Sequence, residues 1–458
     1  MTEIDSSIFK AYDIRGLYGE QLDEDVAYRV GRAFVRVLAD MYDAEPTELR
    51  LAVGRDMRLT APAMAERYAA GMTDAGAAVL DIGQVGTEML YWTVGSHELD
   101  GGLMCTASHN PKAYTGAKLV GRGALALSGD AGIGEVRDIV MAGDPGPAAD
   151  PTGELTAEDI EKPFAADALA FIDASQVREG KVVLDGGNGM AGQMAGPILD
   201  TLPIDQTTLY WTPDGEFPDH EPNPLLEENR TFIIDKVKSE GAELGIAWDG
   251  DADRCFFIDG DGNFVDGDFL TALLAESILE KEPGAHILYD VRASRAVRDV
   301  VEAAGGTAHV NRVGHAFFKT RMRDEGAAFG GEVSGHYYFR DFYCADSGTL
   351  PALLILELLG KRDKSMKELL EAYRSKYFIS GEINSEVDDQ DAKIAEIKDT
   401  YADGEISELD GVSVDYEDWH FNVRSSNTEP LLRLNLESLR SPEHMEEKRD
   451  EVLGLIRG

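Results

Sequence analysis

Short apolar runs of strand length alternate with helical stretches through most of this 458-residue chain. The runs at 51–53 and 182–184 have the length of buried strands, and the stretches 25–40 and 270–280 have helical patterns. Alternation of this kind is typical of α/β units, in which helices cover parallel or mixed sheets. The pattern therefore predicts an α/β protein, and a length of 458 residues at roughly 150 residues per domain predicts about three domains.

Changes in this rhythm divide the chain into four predicted parts. The stretch 142–151 is rich in Pro, Gly and Ala and is typical of a linker. The α/β pattern returns after it and again after about residue 254, and a different pattern begins beyond about residue 368. We therefore expect three similar α/β domains with mixed sheets and a smaller C-terminal α+β domain. Their predicted bounds are 1–150, 151–253, 254–367 and 368–458.

The chain is strongly acidic, with 85 Asp and Glu against 43 Lys and Arg and a formal net charge of -42. This balance predicts no binding to nucleic acid or to a membrane surface, because both need a basic surface. Repulsion across an acidic surface weakens in molar salt, where the screening length is about 3 Å. We therefore expect a protein from a halophilic archaeon, the alternative being an ordinary acidic soluble protein.

Two features concern the cellular compartment. No run of about 18 apolar residues occurs, which predicts no transmembrane helix, and the first residues lack the pattern of a secretory signal. Cys105, Cys255 and Cys344 are too few for a disulfide framework in a chain of this length. These features predict a cytoplasmic protein.

Three carboxylates at alternate positions follow an apolar run and form a candidate metal loop. Asp249, Asp251 and Asp253 can turn their oxygens toward one hard cation, and Mg²⁺ prefers such ligands. An EF-hand would need Gly and Glu where Arg254 and Gly260 stand, so that alternative is rejected. The alternative is an Asp- and Gly-rich surface turn, but three Asp after a strand and before a cation favour a magnesium site.

Ser108 is the candidate reactive residue. It follows the apolar run 102–105 and precedes Asn110-Pro111, so we expect it on a loop at a strand end, where α/β folds present reactive groups. A phosphoserine at this position would be a dianion that needs a metal and cationic neighbours such as Lys118. The alternative is a capping or turn serine.

Two further loops carry groups suited to a phosphorylated sugar. The loop 330–336 offers a carboxylate, a hydroxyl and an imidazole, which suit sugar hydroxyls and proton transfer. The loop 424–430 offers a dense set of donors for phosphate oxygens, including one guanidinium. Each loop alone is also compatible with an ordinary polar turn.

In this order, the motifs resemble those of the α-D-phosphohexomutase family, in its phosphomannomutase/phosphoglucomutase branch. The resemblance spans nearly the whole chain and includes 9–16, 53–56 and Gly314-His315. It implies four domains around a central cleft, each with one loop in the site. It also implies reversible phosphoryl transfer between the 1- and 6-positions of mannose or glucose phosphate through a hexose 1,6-bisphosphate. Hexose phosphates would be its small-molecule partners, and the protein would be a monomer or homodimer.

The resemblance also implies a role for each candidate residue. Ser108 would be the phosphoserine and, with the three Asp of the metal loop, would hold one Mg²⁺. His336 and Lys118 would handle protons. Glu332 and Ser334 would contact sugar hydroxyls. The full set of implied substrate-binding residues is Tyr12, Arg15, Arg254, Arg292, His315, Glu332, Ser334, Arg424, Ser426, Asn427 and Thr428.

Departures from the family pattern leave the sugar open. Arg292 stands where the family often has Lys, and Val333 stands where this branch often has Met. Phosphoglucosamine mutases usually have Gly at the position of Asn427, which favours the other branch. Three alternatives remain at this point: a phosphoglucosamine mutase, a Mg²⁺-dependent sugar phosphatase that uses an Asp of the metal loop, and a sugar-phosphate-binding protein without catalysis.

Overall fold

The chain forms three α/β domains followed by a fourth, C-terminal domain, which confirms the predicted fold class. The computed structural model describes residues 4–129, 131–143, 146–425 and 431–458. Within it the chain makes two compact units, each built from two separate segments. The first unit is Met1–Phe264 with His336–Asp363, and the second is Val265–Gly335 with Lys364–Gly458. Among the described residues, no helix is both long and apolar enough to cross a membrane.

The first sheet belongs to the first unit and is mixed. Its strands are β1 (Ile14–Leu17), β2 (Arg50–Arg55), β3 (Ala78–Gln84), β4 (Gly101–Cys105), β5 (Tyr114–Gly121) and β6 (Leu155–Ala157). The strand order is β1-β5-β4-β2-β3-β6, with β1 and β5 antiparallel to their neighbours. β6 lies beyond the predicted linker and still pairs with β3. The helices are α1 (Glu24–Tyr42), α2 (Ala61–Asp74), α3 (Thr87–Ser96) and α4 (Ile133–Met141).

Helix α1 shows how the sequence forms the helices that accompany the first sheet. The Asp23 side chain accepts from the Val26 backbone N–H and so caps the first turn. Buried apolar residues then recur at helical spacing and join residues of the first sheet in one hydrophobic core. α1 and α2 can approach closely because residue 31 is Gly and has no Cβ. A Cβ at this position would lie only 2.3 Å from the carbonyl oxygen of Tyr68. The helical pattern at 25–40 is therefore confirmed as an element with a packing role.

The second sheet, also in the first unit, carries the metal loop. Its strands are β7 (Gly180–Asp185), β8 (Ile204–Leu209), β9 (Leu244–Trp248) and β10 (Cys255–Asp259), and its helices are α5 (Glu161–Leu169), α6 (Ala191–Met194), α7 (Gly196–Leu199) and α8 (Glu227–Glu240). β9, β7 and β8 are parallel, and β10 returns antiparallel to β9. All residues of β9 and β10 are buried, so the loop between them is held at both ends by the core.

The third domain begins the second unit. Its strands are β11 (His286–Asp290), β12 (Thr307–Asn311) and β13 (Phe329–Gly331), and its helices are α9 (Gly267–Lys281), α10 (Arg295–Ala303) and α11 (His315–Glu325). β11 lies between β12 and β13 and is parallel to both. This is the arrangement of parallel strands and intervening helices that alternating β and α elements favour.

Asp268, in the first turn of α9, gives this domain a pH dependence. Burial raises the pKa of its carboxyl to about 8, and the charge of Asp266 adds to the rise. Because this pKa exceeds the unfolded value of about 3.9, the stability that depends on the proton is complete below about pH 4 and is lost as the pH rises through about 8. We therefore expect Asp268→Asn to lose fewer degrees of melting temperature than the wild type between about pH 5 and pH 8. The exposed Asp324→Asn is the control, and equal losses in wild type and Asp268→Asn would contradict the prediction.

A later segment returns to the first unit. It contains β14 (Tyr337–Phe339), β15 (Ala345–Asp346) and α12 (Thr349–Arg362). Most residues of α12 are buried. The Trp248 indole donates to the Gly348 carbonyl oxygen (2.9 Å), and a Cβ at Gly360 would lie 1.9 Å from the carbonyl oxygen of Gln176. α12 is therefore part of the core of the first unit.

The C-terminal domain completes the second unit with an antiparallel sheet. Its elements are α13 (Met366–Arg374), β16 (Phe378–Ile379), β17 (Ile383–Glu386), α14 (Gln390–Thr400), β18 (Glu405–Ser407), β19 (Val412–Asp415), β20 (Trp419–Ser425), β21 (Leu431–Ser438) and α15 (Pro442–Arg457). The strand order is β16-β21-β20-β19-β18, and β17 also pairs with β21. One face of the sheet forms an apolar core with α14 and α15.

Candidate active site

Ser108 lies just beyond β4 in a buried loop with an unusual backbone. Its φ is +50°, a left-handed conformation that is uncommon for residues other than Gly, and the residue is 1% exposed. Its backbone N–H donates to Thr106 Oγ1 (2.9 Å), and its own Oγ donates to Asp249 Oδ2 (3.0 Å). The structure therefore brings the candidate reactive serine into contact with the candidate metal loop.

Arg58, which sequence reasoning missed, holds the backbone of the Ser108 loop. It is 2% exposed, and its Nε pairs with Asp56 Oδ2 (3.2 Å). Its two terminal nitrogens donate to four carbonyl oxygens of the loop, which are those of Ser108 (2.8 Å), Asn110 (2.6 Å), Pro111 (2.9 Å) and Tyr114 (3.2 Å). The only sequence signal was the position of Arg58 two residues after the Gly54-Arg55-Asp56 motif.

The three Asp of the metal loop converge as their spacing predicts. One oxygen of each of Asp249, Asp251 and Asp253 lies within 4.8 Å of the others, and all three residues are buried. The loop reaches Ser108 because residue 250 is Gly, where a Cβ would lie 2.6 Å from the Ser108 carbonyl oxygen. Among the described residues, Oδ1 of Asp251 and Oδ1 of Asp253 have no hydrogen-bond partner. Buried carboxylate oxygens left unpaired are costly, and a hard cation such as Mg²⁺ would satisfy them.

Neighbouring donors orient Asp251. Lys118 Nζ donates to its Oδ2 (2.7 Å) and also contacts Asp253. Thr87 Oγ1 (2.6 Å) and Thr106 Oγ1 (3.2 Å) donate to the same oxygen, and neither threonine was expected from the sequence. Because these donors occupy Oδ2, the other oxygen of Asp251 is left for a different ligand.

The pKa values of the trio reflect buried like charges. Burial raises the pKa of Asp249 well above its usual range, and Asp253 and Asp251 add to the rise. Burial, followed by the charge of Asp251, raises the pKa of Asp253 to about 6. Burial also raises the pKa of Asp251, but the Lys118 ammonium and hydrogen bonds outweigh it, so that this pKa ends below its usual value. A bound divalent cation would relieve this repulsion.

Four more expected site residues lie in the first unit, and they are Arg254, His336, Arg15 and Tyr12. Arg254 Nε donates to His336 Nε2 (3.1 Å) and is 3.7 Å from Asp249 Oδ2. His336 Nε2 is itself 3.9 Å from Asp253 Oδ1, so both residues border the metal loop. Arg15, on β1, donates to Asn110 Oδ1 (2.6 Å) in the Ser108 loop, whereas the half-buried Tyr12 precedes that strand.

The second unit brings another set of expected residues together. The Gly314 backbone N–H donates to Glu332 Oε1 (2.7 Å), which links the start of α11, where His315 lies, to the 330–336 loop. Asp290 Oδ2 accepts from the Val333 backbone N–H (2.9 Å) and from Arg292 Nη2 (2.8 Å). Glu332 is buried and Ser334 lies two residues further on the same loop.

Three guanidinium groups in this unit share one carboxylate. Glu382 lies 3.5 Å from Arg292 Nη1, 3.1 Å from Arg424 Nη2 and 3.1 Å from Arg433 Nη1. Burial tends to raise the pKa of Glu382, but the three arginines outweigh it and lower the pKa. The excess positive charge suits an anion.

The sequence analysis missed two members of this arginine cluster. They are Glu382 and Arg433, although Arg433 pairs with Arg424 across β20 and β21. The other expected residues of the 424–430 loop lie outside the described residues, and they are Ser426, Asn427 and Thr428.

Comparison with known proteins agrees with this arrangement. Four domain families described as phosphoglucomutase/phosphomannomutase match the chain. They are alpha/beta/alpha domain I at residues 6–144, domain II at 162–262, domain III at 266–377 and the C-terminal domain at 382–455. The chain belongs to the phosphoglucomutase/phosphomannomutase family. The family match includes every loop described above.

Similar proteins match this chain over nearly its whole length. A protein described as phosphohexose mutases from Xanthomonas campestris is 43% identical over 98% of this chain and 99% of its own. A phosphomannomutase from Escherichia coli K12 is 41% identical over 98% of each chain. A solved phosphoglucomutase/phosphomannomutase family protein from Burkholderia thailandensis has a TM-score of 0.89 and 32% identity, covering 99% of this chain and 97% of its own. These relatives are bacterial, and they give no support to an archaeal origin.

Proposed function

We propose that this family member is a phosphohexomutase that moves a phosphoryl group between the 1- and 6-positions of mannose phosphate, glucose phosphate or both. The observation that carries the proposal is the hydrogen bond from Ser108 Oγ to Asp249 within a buried trio of carboxylates. Relatives described as phosphomannomutases and phosphohexose mutases support it. We expect Ser108 to carry the phosphoryl group between turnovers.

The proposed reaction has two balanced halves. The free hydroxyl of the hexose phosphate attacks phosphorus, the bond from phosphorus to Ser108 Oγ breaks, and the hydroxyl proton passes to a base. The leaving serine oxygen takes up a proton, and the products are a hexose 1,6-bisphosphate and an unmodified serine. In the second half the serine Oγ gives its proton to a base and attacks the other phosphate. The bond from that phosphorus to the sugar oxygen breaks and the sugar oxygen takes up a proton, which restores phosphoserine and releases the isomeric monophosphate.

The residues around Ser108 suit this transfer. Asp249, Asp251 and Asp253 would hold one Mg²⁺, which when bound supplies positive charge to the phosphoryl oxygens. Arg254, whose Nε lies 3.7 Å from Asp249 Oδ2, can add positive charge beside the carboxylate trio. His336 accepts from Arg254 at Nε2, so in this arrangement its ring proton is on Nδ1. We propose His336 and Lys118 as the groups that move protons.

The second unit carries further residues that we propose to bind substrate. Arg292 and Arg424, which meet at Glu382, would bind the phosphate that does not react, together with Ser426, Asn427 and Thr428. Glu332, Ser334 and His315 would contact the sugar, and Tyr12 and Arg15 would line the site on the side of Ser108. The domain bounds, the central cleft, the cytoplasmic location and the choice between monomer and homodimer stay predictions.

Product analysis by phosphorus NMR tests this function. We expect glucose 1-phosphate or mannose 1-phosphate, with Mg²⁺ and a trace of hexose 1,6-bisphosphate, to yield the 6-phosphate without release of inorganic phosphate. Glucosamine 1-phosphate in the same panel tests the disfavoured glucosamine alternative. Inorganic phosphate without an isomer would point to a phosphatase, and binding without turnover would point to a binding protein; either result would reject the proposal.

Adaptation to salt is proposed from the charge alone. A net charge of -42 repels itself at low ionic strength, so we expect the melting temperature to rise by several degrees between dilute buffer and molar KCl. The Escherichia coli relative in the same buffers is the control. A melting temperature that falls over this range would reject salt adaptation.

A further inference from the structure

A second group of metal-ligating side chains lies in the second unit and has no part in the proposed function. His286 begins β11, His309 lies in β12, and Glu325 ends α11. The parallel register pairs Leu288 with His309, so the two histidines lie on the same face of the sheet. His309 Nε2 is 3.2 Å from His286 Nδ1, and one ligand atom of each of the three residues lies within 4.8 Å of the others.

We infer that His286, His309 and Glu325 bind one borderline divalent transition-metal ion, represented by Zn²⁺. Two nitrogens that each lie about 2.0–2.1 Å from a tetrahedral zinc are roughly 3.3 Å apart, and the observed separation of 3.2 Å matches this value. Two imidazoles and one carboxylate also form the protein ligands of known open zinc sites, in which water takes the fourth position. Mg²⁺ does not suit the cluster because it prefers oxygen ligands.

The surroundings leave the cluster open to an ion from solvent. Both histidines are half-buried and Glu325 is exposed. Arg321 lies beside the cluster, with its Nε 3.7 Å from Glu325 Oε1 and its Nη1 3.4 Å from Asn311 Oδ1. An ion pair of this length on an exposed carboxylate is weak, so Glu325 remains able to turn toward the histidines. The competing explanation is a simple hydrogen bond between the two imidazoles, in which one ring donates and the other accepts.

Calorimetric titration of the full chain with ZnCl₂ distinguishes the two explanations. Excess Mg²⁺ is present to occupy the carboxylate trio. We expect one zinc site in the wild type that His286→Gln and His309→Gln each weaken by at least about tenfold, and that Glu325→Gln weakens less. His444→Gln, a histidine of the same unit outside the cluster, should bind zinc like the wild type. Circular dichroism checks that each variant is folded.

The titration also separates this inference from the proposed function. A zinc ion that displaced Mg²⁺ from the carboxylate trio would bind the wild type and all the histidine variants alike. Mutase activity with Mg²⁺ should be unchanged in His309→Gln, because the proposed reaction does not use that residue. No zinc binding by the wild type, or equal binding by wild type and His309→Gln, would overturn the inference.

Discussion

Ser108→Ala is expected to lower the turnover of glucose 1-phosphate and mannose 1-phosphate by at least about 10⁴-fold, because the variant has no oxygen to accept the phosphoryl group. The fold should be little affected, since the side chain makes its principal contact with Asp249 Oδ2 at 3.0 Å. Incubation of the wild type with a hexose 1,6-bisphosphate should add one phosphate to the intact mass, and peptide mapping should place it on Ser108. The variant should gain no mass.

The control for this experiment is the exposed Ser96→Ala, at the end of α3. It should keep both the activity and the gain in mass. Conversion by Ser108→Ala at the wild-type rate, or a phosphate on another residue of the wild type, would reject Ser108 as the phosphoryl carrier while leaving the fold and family intact.

Arg58→Lys should lower kcat by roughly 10²-fold or more and leave KM nearly unchanged. Arg58 donates to four carbonyl oxygens of the Ser108 loop and to Asp56, and a lysine ammonium cannot reproduce a fork of this shape. A displacement of about 1 Å at the reacting oxygen is enough for a loss of this size. Substrate binding should persist because Arg58 is not among the residues proposed to contact substrate.

Arg58→Ala should act mainly on stability. Removing the guanidinium leaves Asp56 buried without its ion-pair partner, and breaking a buried pair in this way costs about 3–5 kcal/mol. Thermal melting separates this effect from the loss of kcat in Arg58→Lys. The matched control is Arg55→Lys on β2, where Arg55 Nη1 lies 3.8 Å from Asp81 Oδ1. Two outcomes would show that Arg58 does not position the loop. One is a rise in KM as large as the fall in kcat, and the other is equal kcat in Arg58→Lys and wild type.

The fold class was predictable because each element has a local cause. The alternation of strand-length and helical patterns predicts the first three domains, and the acidic loop after β9 is defined by a spacing of two residues between carboxylates. The convergence of Asp249, Asp251 and Asp253 therefore follows from local sequence. Their encounter with Ser108, more than a hundred residues earlier, followed only from the family resemblance.

The contacts that support the site residues could not be predicted from local sequence. Arg58, Thr87 and Thr106 act through partners far away in sequence or through backbone oxygens, and neither kind of contact leaves a pattern along the chain. Glu382 is similar, because an isolated Glu gives no sign that three arginines will meet it. The roles assigned to the substrate-binding residues stay predictions.

The discontinuous first unit has a consequence for synthesis of the chain. Helix α12 and the strands before it belong to this unit, yet residues 265–335 separate them from the rest of it. A nascent chain that has emerged only as far as Phe264 exposes the apolar surface that α12 covers in the finished protein. The unit can therefore close only after most of the polypeptide has left the ribosome, and until then it is a natural client for chaperones.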